Sequence, residues 1–151
     1  MKQHTFAHEP EILKQVTVRL LGDEDRARFD ALLEQKHYLC NARMVGRTLR
    51  YVAELDGEWV ALACFSAAAL HLKAREKWIG WTPRQRARRL GFVVNNSRYL
   101  VLPERERLPN LASRALGLFL RRLSRDWQER WEHPVFAVES FVDETRYRGV
   151  C

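Results

Sequence analysis

The stretch RLGFVVNNSRYLVLPERERLPNLASRALGLFLRR, Arg89–Arg122, decides how the chain is read. Its apolar part, Phe92–Leu102, predicts a strand. A charged turn follows, and Pro109-Asn110 opens a run with Leu111, Ala115, Leu118, Phe119 and Leu123 at helical spacing. That spacing predicts a helix over Asn110–Trp127, with a second helical segment running to Glu132 ahead of Pro134. A strand feeding a helix N-terminus through a tight turn is a natural anion site, because the first helical amides lack backbone partners. The strand also carries Asn95, Asn96 and Arg98 inside an apolar run. Strict alternation puts Val94, Asn96, Arg98, Leu100 and Leu102 on one face, and Val93, Asn95, Ser97, Tyr99 and Val101 on the other. The two sets then cannot share a pocket unless a bulge splays the strand.

Working outward, Asp56-Gly57 splits two partly alternating apolar runs, Arg47–Glu54 and Trp59–Phe65, and predicts an antiparallel hairpin, since both residues tolerate positive φ. Upstream, Gln15–Leu21 has the β-branched alternation of a strand. Gly22 ends it, and Asp23 caps a helix over Glu24–Lys36 with Phe29, Leu32 and Leu33 on its apolar face. Downstream of the hairpin, Ser66–Leu72 is small and alanine-rich, suited to close packing or a short helical turn. Thr82-Pro83 then starts a helix over Pro83–Leu90, and Val135–Val142 predicts a last strand. The order is β-α-β-β-(α)-β-α-β, an α/β or α+β mixed sheet with helices on its faces. Residues 1–15 read as an N-terminal extension and 16–151 as one domain.

Composition narrows the class. With 46% hydrophobic and 30% charged residues the chain suits a folded globular protein. The net charge of +7 rests on 26 lysines and arginines, of which only five are lysine. Arginine is the side chain best shaped for bidentate phosphate contacts, so the balance favours nucleic acid or a phosphorylated partner. Three cysteines without metal-ligand spacing fit a reducing compartment, and Cys64 reads as a small core residue. No apolar run is long enough to span a bilayer, so cytoplasmic residence without a membrane partner is the expectation. His4, His8, His37, His71 and His133 are scattered, and no metal is expected.

Several side chains are candidates for chemistry. Asn95, Asn96 and Arg98 are either a network bridging the sheet to a loop or a ligand pocket in which an asparagine reads a polar group and Arg98 holds an anion. Glu139 is either a charge partner for Arg98 or another arginine, or a single general base with His37 or Tyr147 as partner. Asp143, on the same strand face, would stand about 13 Å away, too far for a carboxylate dyad. The acid-free run holding Arg84, Arg86, Arg88 and Arg89, and the helix face with Arg114, Arg121, Arg122 and Arg125, are either solvated faces or one nucleic-acid surface. Of these, the acid-free run is the stronger nucleic-acid candidate. Trp78 and Trp81 either cover core, the expected outcome, or stack on bases.

The element order is similar to the GNAT acetyltransferase fold. The sequence more specifically resembles the DruA family, known from Druantia anti-phage systems and transposase-associated domains. The stretches that carry the resemblance are His37-Tyr38-Leu39, Val45-Gly46-Arg47, Leu49-Arg50-Tyr51, Phe65-Ser66-Ala67-Ala68, Trp78-Ile79-Gly80-Trp81, Val93–Arg98, Pro109–Ser113 and Glu139–Asp143, which span nearly the whole chain. This implies a part in phage defence or mobile-element biology. The GNAT likeness implies a coenzyme A derivative with its pyrophosphate at Asn110, Leu111, Ala112 and Ser113. Against the GNAT turn, Leu111 stands where a glycine would be, Ser113 where a glycine or alanine would be, and Pro109 has no N–H to offer. Family members usually continue past Arg148-Gly149-Val150-Cys151. The expectation is therefore that the last strands of a GNAT-like sheet are missing, leaving an open edge for a protein partner or a second copy.

Three functions follow as expectations. The first is an accessory domain of a defence or mobile-element system, contacting nucleic acid through arginines. The second is a GNAT-like acyl- or aminoacyltransferase with a degenerate coenzyme A turn. The third is an assembly subunit without catalysis.

Overall fold

The Asp56-Gly57 turn forms as the dipeptide dictates. Asp56 sits at φ 53° and Gly57 at φ 78°, the left-handed pair that a two-residue hairpin requires. It joins β2 (Thr48–Leu55) to β3 (Glu58–Ala67), with Leu55 opposite Glu58. The computed structural model describes residues 9–102, 108–146 and 148. Around the hairpin stand β1 (Thr17–Leu20), β4 (Val93–Val101) and β5 (Ala137–Ser140), in the order β1-β2-β3-β4-β5. All pairs are antiparallel except β4–β5, which is parallel. A parallel pair needs a crossover, and α5 (Leu111–Trp131) supplies it.

Two layers of helix cover the sheet. Leu111, Ala115, Phe119, Leu123 and Trp127 of α5 pack on Tyr51, Phe65 and Val94, with partly buried Ile12 and Leu13 of α1 (Glu9–Lys14) beside them. On the other face, Phe29 and Leu33 of α2 (Arg26–Lys36) pack on Val52, Leu62, Leu100 and Leu102. The expected Phe29/Leu33 face is therefore present, but the acidic start Asp23–Asp25 forms a 3-10 turn before α2, and no side chain caps it.

Three expectations change. The last helix is continuous to Trp131 rather than broken near Trp127. The last strand is four residues long instead of running from Val135 to Val142, and Asp143 lies beyond it in a turn, where hydrogen bonds from Thr145 hold its carboxyl low. Between β3 and α4 (Pro83–Arg89) there is an unforeseen helix, α3 (Lys73–Ile79), closed by Gly80 at φ 75°. That glycine is the sequence signal that could have found it.

One buried carboxylate fastens α5 to the sheet. Asp126, 3% exposed, accepts from the Tyr51 hydroxyl at 2.9 Å and from Arg122 Nε at 2.6 Å. Arg122 also donates to the Val18 carbonyl at 3.1 Å, so β1, β2 and α5 meet at this point. Burial, then the bond to Asp126, pushes the Tyr51 phenol far above its ordinary value, keeping it a neutral donor. Asp126→Ala leaves the buried Tyr51 hydroxyl and the half-buried Arg122 guanidinium without their carboxylate, and is expected to lower unfolding free energy by about 2–3 kcal/mol. Tyr51→Phe removes one bond and is expected to cost about 1 kcal/mol, both read from urea denaturation.

Candidate functional site

The alternation expected along β4 breaks at Ser97. Cys64 faces Arg98 while its neighbour Phe65 faces Asn96, so β4 holds one residue more than β3 across this step. The bulge reverses the faces. Val94 packs with Tyr99 and Val101 toward α5, while Leu100 and Leu102 pack toward α2. Asn95, Ser97 and Arg98 consequently line one cleft of about 430 Å³ on the α2 side. Strict alternation had separated Asn95 from Arg98. The structure unites them and leaves out Asn96, whose Nδ2 donates to Ser140 Oγ at 3.5 Å.

Polar groups in the cleft are partly committed. Arg98 Nε donates to the Asn41 carbonyl at 2.9 Å and Nη1 to the Ser97 carbonyl at 2.6 Å, fixing the guanidinium. The Ser66 and Ser97 hydroxyls bond to each other, and Ser97 Oγ also donates to the Asn95 carbonyl at 3.3 Å. Asn95 Oδ1 is buried and has no hydrogen-bond partner among the described residues. Arg43, which the sequence reading did not single out, lies across the cleft with an exposed guanidinium.

His37 and Glu139, the candidate catalytic pair, are each held by other partners. His37 is 3% exposed, and its Nδ1 accepts the Leu39 amide at 3.2 Å. Burial first, and the Arg98 charge second, push its imidazole down to about 4, against a hydrogen bond to the Tyr99 backbone. It is a neutral link between the end of α2 and β4. Glu139 accepts from Arg75 Nη1 at 2.9 and 3.0 Å through its two oxygens, and Arg75 Nη2 donates to the Ala69 carbonyl at 2.6 Å. The Arg75 side chain is 4% exposed, so Glu139 is the counter-charge of a buried guanidinium. No hydrogen bond or ion pair joins His37 to Glu139 among the described residues. Tyr147 lies outside them.

At the start of α5, Asn110 adopts φ 63° and its side chain caps nothing. The Leu111 amide donates to the Leu108 carbonyl at 3.2 Å, and the Leu111 side chain is buried in the core. The Tyr99 hydroxyl donates to the Ala112 carbonyl. Of the four residues expected to cradle pyrophosphate, Asn110 and Ser113 are exposed and Ala112 is half-buried, while Leu111 is turned inward.

The arginine helices differ from each other. In α5, Arg122 is spent on Asp126, Arg125 lies near Asp126 and Glu129, and Arg114 donates to the Leu13 carbonyl at 3.1 Å. In α4, Thr82 and Gln85 form a reciprocal cap over Pro83, and Arg86 pairs with Glu76 of α3 at 2.6 Å. Arg84, Arg88 and Arg89 are exposed and make no ion pair among the described residues. Trp78, expected to cover core, is instead 88% exposed, on the same helix as exposed Lys73 and Lys77. Trp81 is half-buried.

The family model described as Druantia protein DruA matches residues 3–150. The chain belongs to the DruA family. A comparison with curated protein sequences gives no match. Among solved structures, this DruA-family chain is similar to a predicted acetyltransferase with acetyl-CoA from Clostridium acetobutylicum, at 11% identity and TM-score 0.51, covering 86% of this chain and 82% of that one. It is also similar to the aminoglycoside acetyltransferase meta-AAC0020 from an uncultured soil metagenomic sample in complex with sisomicin, at 13% identity and TM-score 0.49, covering 89% and 82%. The first likeness establishes a GNAT-like fold, with its mostly antiparallel five-stranded sheet. Among the described residues no group of three His, Cys, Asp or Glu forms a metal site, and no helix is long and apolar enough to cross a membrane.

His37 makes a pH test of the link between α2 and β4 behind this cleft. Unfolded, it titrates near 6.5; folded, it stays neutral down to about 4. As pH falls the unfolded chain takes the proton first, so stability is full above 6.5 and declines as pH drops from 6.5 to 4. His37→Gln is expected to flatten the dependence of Tm on pH across that window.

Proposed function

We propose that this DruA-family chain is an accessory component of a phage-defence system that contacts nucleic acid through the outer surface of α3 and α4. The observation that carries this reading is Trp78, 88% exposed and accompanied by exposed Lys73, Lys77, Arg84, Arg88 and Arg89. Arg84 and Arg88 are four residues apart and share a helix face. A large exposed aromatic has no stability rationale in a chain that buries 25 hydrophobic residues among those described. On the helix that Arg86 ties to α4 through Glu76, an exposed indole can stack on bases while the α4 guanidinium groups contact phosphates. Arg86 belongs to the scaffold here, because it holds α4 to Glu76.

Binding to an oligonucleotide is expected to fall steeply between about 50 and 200 mM salt, and Arg84→Ala/Arg88→Ala to weaken it at low salt and flatten the salt slope by about two. Trp78→Ala is expected to cost about 1–3 kcal/mol on single strands and less on duplex. In cells, the same variants are expected to lower protection against phage in a plating assay. Absence of binding to both single- and double-stranded probes at low salt would reject the reading.

A second reading, acyl transfer, rests on the GNAT-like fold and on the parallel β4–β5 ladder, which ends at Asn96–Ser140 beside the bulge. Against it stands the α5 start, where Pro109 has no amide and the Leu111 amide is already used. Acetyl-coenzyme A is expected to leave Tm unchanged. Saturation a hundredfold over Kd would contribute about 2.7 kcal/mol, a shift that thermal melting resolves easily, and that shift would favour the enzyme.

A further inference from the structure

We propose that the cleft between the β4 bulge and the loop after α2 binds a nucleoside 5′-phosphate, with Arg98 and Arg43 on the phosphate and Asn95 on the base edge. The cleft is separate from the α3–α4 surface and from the start of α5, and the inference does not need the reading of either.

Its charge selects an anion. Among the described residues two arginines line it and no acid does. Arg98 is held before any ligand arrives, because carbonyls of Asn41 and Ser97 fix Nε and Nη1. Its Nη2 has no hydrogen-bond partner among the described residues, which leaves its N–H groups available to an oxyanion at the cleft. Arg43 is anchored at its backbone, where its amide donates to Asn41 Oδ1 at 2.6 Å, while its exposed side chain is free to close on the same anion.

The rest of the cleft asks for more than phosphate. Among the described residues Asn95 Oδ1 is buried without a partner, and an unmet acceptor of that kind is costly unless a ligand donates to it. The wall at Ala67–Ala69 carries only methyl side chains, which leave space for a flat ring. Met44 and Val45 offer apolar cover opposite, with Val45 81% exposed. The volume of about 430 Å³ lies within the range of small-molecule sites. An anion joined to a flat ring bearing N–H donors is a nucleotide. Three stretches quoted for the family resemblance, at Val45-Gly46, Ser66–Ala68 and Asn95–Arg98, meet at this place.

Calorimetric titration of the full chain with AMP, GMP, CMP and UMP tests the proposal, with inorganic phosphate as the ring-free control. At least one nucleotide is expected to bind at least about tenfold more tightly than phosphate. Arg43→Glu, at an exposed position that leaves folding intact, is expected to weaken it about tenfold or more. Asn95→Asp is expected to weaken it further and to change the preference among bases. Arg84→Ala/Arg88→Ala should leave nucleotide affinity unchanged, so failure here is distinct from failure of the α3–α4 surface. Matched oligonucleotides with a 5′-phosphate or a 5′-hydroxyl identify the source. Preference for the phosphate that Arg43→Glu removes assigns the cleft to a strand end. Equal binding alongside a bound mononucleotide assigns it to the free nucleotide. No binding of any nucleotide at ~1 mM, phosphate binding equally well, or indifference to Arg43→Glu overturns the proposal.

Discussion

One extra residue in β4 governs the rest of the molecule. Because side chains alternate along a strand, inserting Ser97 opposite β3 exchanges the faces of everything that follows. Tyr99 and Val101 turn to the α5 core and Leu100 and Leu102 to the α2 core, so each helix layer receives apolar cover from β4. The same step delivers Asn95 and Arg98 to a single cleft. It also coincides with the end of the β4–β5 ladder at Asn96–Ser140, where the two parallel strands part. Core packing and cleft chemistry thus share one backbone irregularity, and removing it would damage both.

A bulged strand has fewer ladder bonds, and the surroundings compensate with polar fasteners. His37 bridges the end of α2 to the Tyr99 backbone, and Arg98 reaches the Asn41 carbonyl, so the loop after α2 is tied to β4 at two points. Arg75 links Glu139 on β5 to the carbonyls of Ala69 and Leu70, which sets the wall leading away from the cleft. His37 is neutral, while Arg98 and Arg75 are half-buried or buried charges with matched partners, the arrangement that specifies one geometry more than it adds stability. Glu139, which reads in sequence as a candidate base, is better understood as part of this scaffold.

Local rules with strong physical causes were legible in the sequence. Asp56-Gly57 turned where two positive φ values were needed, Thr82-Pro83 capped α4, and the spacing of Leu111, Ala115 and Phe119 placed the buried face of α5. The family and the GNAT-like plan were legible too, because motifs over the whole chain pointed one way. Helix α3 was not, since its inward residue is the charged Arg75 and its large apolar residue, Trp78, faces solvent. Periodicity arguments assume the opposite assignment. The faces of β4 were misread for a different reason: no residue type announces a bulge at Ser97, and the shift exists only relative to β3. Both failures fall where polar groups hold the cleft or form the exposed surface, which is where local preference is expected to yield to function.

The comparison with the GNAT plan then turns on how an anion would be held. A helix-start site works by letting backbone amides approach the ligand, which requires small residues and free N–H groups. At the start of α5 the Leu111 amide is satisfied internally, its side chain anchors the core, and Pro109 contributes no donor. Guanidinium groups stand elsewhere instead: Arg98 and Arg43 at the cleft, Arg84, Arg88 and Arg89 along α4. In α5, Asp126 and Glu129 answer Arg122 and Arg125 and Arg114 reaches the Leu13 carbonyl, while Arg121 stays exposed. Guanidinium groups bind phosphate through their own fork and need no close backbone approach. On the proposed readings, a GNAT-like sheet whose amide cradle is weak and whose cationic side chains stand elsewhere would meet phosphates carried on nucleotides or strands through guanidinium forks more readily than a pyrophosphate at the start of α5.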